Sequence, residues 1–160
     1  MNEHGHRAYA LAPLSGGGAR LPARRDTCPM CGQPGGGAAA CGHCGAPLTP
    51  PPRLDDPQEA FTGRRGSPRV ERVETAVWQP AADGGDAIAM RLQDLSFTGM
   101  SLDSVLPVPE GQIARVRAPN IDGVVQVVHC RREGGDWRVH ARLLTMRLLT
   151  RAGAFVSTSA

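Results

Sequence analysis

Lysine is missing from this 160-residue chain, and all 18 of its basic residues are Arg. Every cationic contact therefore offers a flat, forked donor instead of a point charge. Aromatic residues are scarce as well, with two Trp, one Tyr and three Phe. Any core must be built mainly from Val, Leu, Ile, Met and Ala. No apolar run approaches the roughly 20 residues of a spanning helix, and the opening Met1-Asn-Glu-His-Gly-His-Arg7 lacks the basic-then-apolar order of a secretory signal. No membrane insertion is expected, and the expected compartment is the cytoplasm. What is present is enough for a packed domain: 41% hydrophobic and 21% charged residues exclude wholesale disorder.

The net charge of +3 is too small for a general nucleic-acid coat. Its distribution is uneven. Residues 1–60 hold five Arg and five acids, whereas residues 61–160 hold 13 Arg and 10 acids, so the whole excess lies in the second part.

Texture also changes along the chain. Residues 1–26 include Gly16-Gly17-Gly18 and show no sustained period, which reads as a disordered leader. Residues 27–48 carry four of the five cysteines, and residues 49–61 form a Pro-rich linker. From about residue 70 the period becomes two. Val73, Thr75 and Val77 alternate with Glu74, Ala76 and Trp78; Ile88, Met90 and Leu92 follow, then Met100 and Leu102, then Ala114, Val116 and Ala118. Residues 124–130 form a dense β-branched run, and Val139, Ala141 and Leu143 close the series. Turn signals separate these runs at 83–85, 109–111, 120–123 and 133–136. Six short strands with close turns predict an all-β, six-stranded antiparallel barrel, because closure removes the sheet's edges. A short terminal helix is expected over residues 145–155, and residues 151–160 are read as a tail.

The cysteines are paired. Cys28-Pro-Met-Cys31 and Cys41-Gly-His-Cys44 are two CxxC knuckles separated by nine residues, each followed by a Gly, Gly32 and Gly45. Such a turn lets two thiolates converge, and two turns supply the four corners of a tetrahedral ion. The segment resembles a small zinc ribbon of the pattern CPxCG…CxxCGxPL, which implies structural zinc on Cys28, Cys31, Cys41 and Cys44. A redox dithiol or a pair of disulfides is the competing reading, disfavoured by cytosolic reduction and by the lack of a thioredoxin-like frame. So small a segment would need the metal to hold a structure. His43, inside a knuckle, is read as exposed or as supporting a ligand, and His4 and His6 as incidental.

Two further features stand out. Arg64-Arg65-Gly-Ser-Pro-Arg69 places three guanidinium groups just before the first strand, and Asp94-Leu-Ser96-Phe-Thr-Gly99 lies between the second and third. Alone, the first suits a solvated linker. The second suits a capped turn in which Gly99 supplies an unusual backbone angle. Together, over residues 62–150, they resemble the PilZ domain, with RxxxR at Arg65 and Arg69 and [D/N]xSxxG at Asp94, Ser96 and Gly99. Two departures are a faint terminal helix and His140 where a small residue is common.

The resemblance implies a receptor for the bacterial second messenger cyclic di-GMP, with Arg64, Arg65, Arg69, Asp94, Ser96 and Gly99 as ligand residues. The chemistry agrees. Arg forks match both phosphate oxygens and the O6/N7 edge of guanine, while a carboxylate suits the N1 and N2 donors of the opposite edge. Gly99 would let the base approach without a side chain in the way. Arg64 beside the motif implies two stacked nucleotides per site. An arm that orders on the ligand would pass the signal to a protein partner through the linker.

Two other readings are a ribbon that contacts DNA or RNA and a PilZ-fold adaptor that binds only protein. Against the first, residues 27–48 contain no Arg. An enzyme is not expected, because no nucleophile, base and oxyanion donor occur together and a four-Cys site leaves no open metal position. Phe97, Trp78, His129, His140 and Cys130 are read as structural, Cys130 as a small buried apolar residue.

Overall fold

The computed structural model describes residues 23–51, 70–81, 85–96 and 98–149. It is all β. Six strands, β1 (Val70–Pro80), β2 (Ile88–Leu95), β3 (Gly99–Ser104), β4 (Ile113–Ala118), β5 (Ile121–Glu133) and β6 (Asp136–Leu148), close into an antiparallel barrel in the order β1-β2-β3-β6-β5-β4. Ahead of it, the cysteine segment makes two isolated bridges, Thr27 with Pro34 and Ala40 with Pro47.

Side-chain alternation decides what fills the barrel. Ala76, Trp78, Met90, Leu92, Met100, Leu102, Ala114, Val116, Val125, Val127, Val139 and Ala141 point inward and are buried in one cluster. Trp78 is its largest member, and its indole Nε1 donates to Gln112 Oε1 at 3.3 Å. On β1 the inward set is Ala76 and Trp78, whereas Val73 is 70% exposed and Val77 38%.

The dense run in β5 has a specific cause. Val125 and Val127 face the barrel interior, but Val124 faces outward and is also fully buried, because the cysteine segment lies over it. A strand covered on both faces reads as continuous apolar sequence. Alternation resumes where the cover ends, with Val128 46% exposed.

Two expectations about boundaries are corrected. Residues 145–148 are not the start of a helix: β6 runs on to Leu148, where Ile121 pairs with Leu148 and Gly123 with Met146. Thr145 and Met146 are buried there, and a strand with a waiting partner wins over a weak helical stripe. Residues 150–155 lie outside the described residues. The turn read at 120–123 is tighter than expected, since β4 ends at Ala118 and β5 starts at Ile121. Among the described residues no helix is long and apolar enough to cross a membrane.

Candidate functional site

The Asp94–Gly99 segment forms the connection from β2 to β3. Strict alternation would put Asp94 on the same face as Leu92, inside the barrel. The register breaks there: Leu92 pairs with Leu102, but Asp94 pairs with Ser101, leaving Gln93 as an extra residue on β2. The bulge reverses the facing of everything after it. Leu95, paired with Met100, packs against the core. Asp94, paired with the outward-facing Ser101, is half-buried on the outer surface.

Ser96 and Gly99 have other duties. The Ser96 amide donates to the Gly99 carbonyl at 2.8 Å. Ser96 Oγ accepts from the Thr98 and Gly99 amides at 3.3 and 3.2 Å and donates back to the Gly99 carbonyl at 3.2 Å. The hydroxyl thus ties the turn together and is itself buried. Gly99 is not at positive φ, so the expected unusual angle is absent. A Cβ at this position would lie 2.4 Å from the Ala141 carbonyl oxygen. Gly99 is glycine because β3 and β6 meet too closely for any side chain.

The row opened by Asp94 continues across the barrel. Asp94 pairs with Ser101, Ser101 with His140 and His140 with His129. Ser101 Oγ lies 3.1 Å from His140 Nδ1. The adjacent row runs from Gly99 to Arg142 to Gln126 to Ile113. Arg64, Arg65 and Arg69 lie outside the described residues, as does Phe97. The register still fixes the chain that follows them: Val70, next after Arg69, pairs with Leu95, the neighbour of Asp94. Cys130 is half-buried rather than fully buried, and its sulfur accepts from the Val108 amide at 3.4 Å.

This barrel, with its β2–β3 corner, has a counterpart among known families: the model of the PilZ domain matches residues 63–155, more than half of the chain. The chain belongs to the PilZ family. That family comprises cyclic di-GMP receptors, and its members are typically non-enzymatic binding domains. Comparison with curated proteins gave no match.

Outside the PilZ domain the four cysteines converge. The Sγ atoms of Cys28, Cys31, Cys41 and Cys44 all lie within 4.8 Å of one another. Cys31 and Cys41 are 3.5 Å apart and Cys28 and Cys44 3.6 Å. A disulfide needs about 2.05 Å, whereas a tetrahedral thiolate site with bonds of about 2.3 Å needs S···S near 3.8 Å. The spacing suits a metal ion and not two disulfides. His43 is exposed and outside the cluster.

The two knuckles are built alike, 13 residues out of step. The Cys28 amide donates to the Gln33 carbonyl and the Cys41 amide to the Ala46 carbonyl; the Gly32 and Gly45 amides donate to Cys28 and Cys41. Gly32 and Gly45 have φ of 72° and 75°, the left-handed region each tight return requires. Without a metal the thiols differ: backbone amides of Cys44 and His43 bring the Cys41 thiol down to about 6, while burial pushes the Cys44 thiol up to about 12.

The PilZ barrel holds this module firmly. Ala46 and Leu48 are fully buried against Val124, with Ile113 and Leu144 packed alongside. The Met146 amide donates to the Thr49 carbonyl at 2.8 Å. Arg115 grips Asp122 with two bonds of 2.8 Å and donates its third arm to the Cys44 carbonyl at 3.0 Å. Arg147 adds a 2.7 Å contact to Asp122, whose side chain is only 3% exposed. The ordered module starts earlier than the cysteine spacing suggested, since the Arg25 amide donates to the Leu48 carbonyl. Nothing in the CxxC pattern reveals this docking. Its one signal was the unbroken apolar run around Val124.

Proposed function

We propose that the protein is a cyclic di-GMP receptor in which Asp94, Arg64, Arg65 and Arg69 contact the nucleotide while Ser96 and Gly99 shape the corner that presents Asp94. The observation that carries this reading is the bulge at Gln93, which turns the motif carboxylate out of the core onto the outer side of the sheet, at the end of β2 that pairs with the start of β1. Bulges are over-represented beside functional sites, where they re-aim a side chain; this one turns Asp94 out of the core and Leu95 into it. The intact Arg motif, which precedes β1 directly in the sequence, favours nucleotide binding over a purely protein-binding adaptor. Two stacked nucleotides per site remain part of the proposal because Arg64 adds a third cation to offset a second ligand of charge −2.

In the same reading the four-Cys cluster holds one structural zinc. The proposed boundaries are a ribbon at 27–48, extended back to Arg25 by its backbone bond to Leu48, a linker at 49–61 and the PilZ domain at 62–150. Ligand binding orders the Arg arm, and the linker carries the change to a protein partner. The docking of the ribbon works against the nucleic-acid reading, because its apolar side is spent on the barrel and its own 22 residues carry no Arg.

Trypsin cleaves after Arg, which makes the arm its own reporter. Saturating cyclic di-GMP should protect the Arg65–Gly66 and Arg69–Val70 bonds, and Asp94→Ala should abolish the protection. Cleavage at those bonds unchanged by the nucleotide in metal-loaded wild-type protein would overturn the proposed arm closure.

A further inference from the structure

The outer face beyond the β2–β3 corner carries a cation that the sequence motifs do not include. Arg142, on β6, is the cross-strand partner of Gly99, so no side chain stands between it and the corner. On its own strand it follows His140 by two residues and shares its face, and His140 leads through Ser101 to Asp94. Asp94 and Arg142 therefore sit at opposite corners of one group of polar side chains on the outer side of the sheet, two strand spacings wide, about 10 Å, in which Ser101 is fully buried.

On β6 the ion pairs of the other two arginines, Arg138 and Arg147, set Arg142 apart. Arg138 is bound to Asp103, and Arg115 and Arg147 share Asp122. Arg142 is exposed, and among the described residues its partner is the neutral amide oxygen of Gln126, which receives both Nε and Nη2. This contact fixes the fork in place without cancelling its charge. A held, uncompensated guanidinium beside a side-chain-free position is suited to a phosphate. The same row ends at Ile113, under the metal module, so the patch is bordered by the corner on one side and the ribbon on the other.

We infer that Arg142 is a further anion-recognition residue of the nucleotide site, contacting a phosphate of the ligand whose base is held at Asp94. This rests on the cyclic di-GMP reading. It extends the site from β2–β3 onto β6, toward the ribbon.

Calorimetric titration of metal-loaded protein with cyclic di-GMP tests it, using wild type, Arg65→Ala, Arg142→Ala, Arg142→Lys and Arg131→Ala, with a thermal melt of each. Loss of a charge-assisted contact should weaken Arg142→Ala roughly tenfold to a hundredfold. Arg142→Lys should recover part of that loss, and Arg131→Ala, an exposed change near the β5–β6 turn, should bind as wild type. Arg142→Ala matching wild type, while Arg65→Ala does not bind, would overturn this inference and leave the receptor reading intact. Equal weakening of the Ala and Lys variants with a lowered melting temperature would assign Arg142 a structural role and also overturn it. No binding by wild type would remove both.

Discussion

The Arg115 guanidinium of the barrel donates to the carbonyl of Cys44 in the second knuckle at 3.0 Å, while its other two arms are locked on Asp122. One side chain thus joins the cysteine cluster to the outer wall of β4 and β5. Groups that orient metal ligands contribute to metal affinity although they never touch the ion. Arg115→Ala should lower zinc affinity about tenfold to a hundredfold, measured by competition with a chromophoric chelator. Arg147→Ala, which contacts Asp122 but not the knuckle, should change it much less. Equal affinities for Arg115→Ala and wild type would show that the docking does not support the site.

Removing the metal should undock the ribbon and leave the barrel standing. The ribbon is too small to bury a core of its own, whereas the barrel closes without it. Chelation should expose Leu48, Val124, Ile113 and Leu144 and so raise binding of a hydrophobic dye, with the β signature in circular dichroism retained. Native mass spectrometry should find one zinc per chain, lost in Cys28→Ser. A metal-free mass carrying two disulfides would contradict this.

The motif residues should separate by what they do. Gly99→Ala forces a Cβ onto the Ala141 carbonyl and should cost about 3 kcal/mol of stability. Ser96→Ala loses the hydroxyl that ties the turn and should cost about 1–2 kcal/mol. Asp94→Ala, on the outer face, should change stability by less than about 1 kcal/mol and act instead on nucleotide binding. Urea denaturation of the three variants checks the order.

Acid should act through Asp122. Burial raises its pKa, but the hydrogen bonds and charges of Arg115 and Arg147 outweigh that and hold the carboxyl below its ordinary range. A folded pKa below the unfolded one means the stabilisation is complete above about pH 3.9 and is lost as pH falls through the folded value. The stability difference between wild type and Asp122→Asn should therefore be constant from pH 7 to 5 and shrink below about pH 3.9. Metal loss in acid affects both proteins, so their difference isolates the carboxylate. A difference that grows in acid would contradict the assignment.

The barrel was legible because its strands alternate and its turns are marked. The inward sets on β2, β4 and β6 follow the period directly. β1 was harder: Val73 and Val77 look like core residues, yet the structure buries Ala76 and Trp78 instead. The cysteine cluster was legible from spacing alone. The bulge was not. Nothing in Arg91-Leu92-Gln93-Asp94-Leu95 marks Gln93 as the extra residue, because a bulge is a property of the pair of strands. Arg142 was invisible for the same reason, since its closeness to Gly99 is a matter of register across 43 residues. The expected helix failed where a weak local preference met an available strand partner in Ile121–Gly123.

The central claim is that the corner holding Asp94 and the Arg arm form one site for cyclic di-GMP. A calorimetric titration of zinc-loaded wild-type protein with that nucleotide, alongside Arg65→Ala and Asp94→Ala, tests it most directly. The account predicts saturable binding at micromolar concentration or below, abolished in the first variant and strongly weakened in the second. A folded, metal-loaded wild-type protein that gives no binding heat and whose amide spectrum is unmoved by the nucleotide would contradict it.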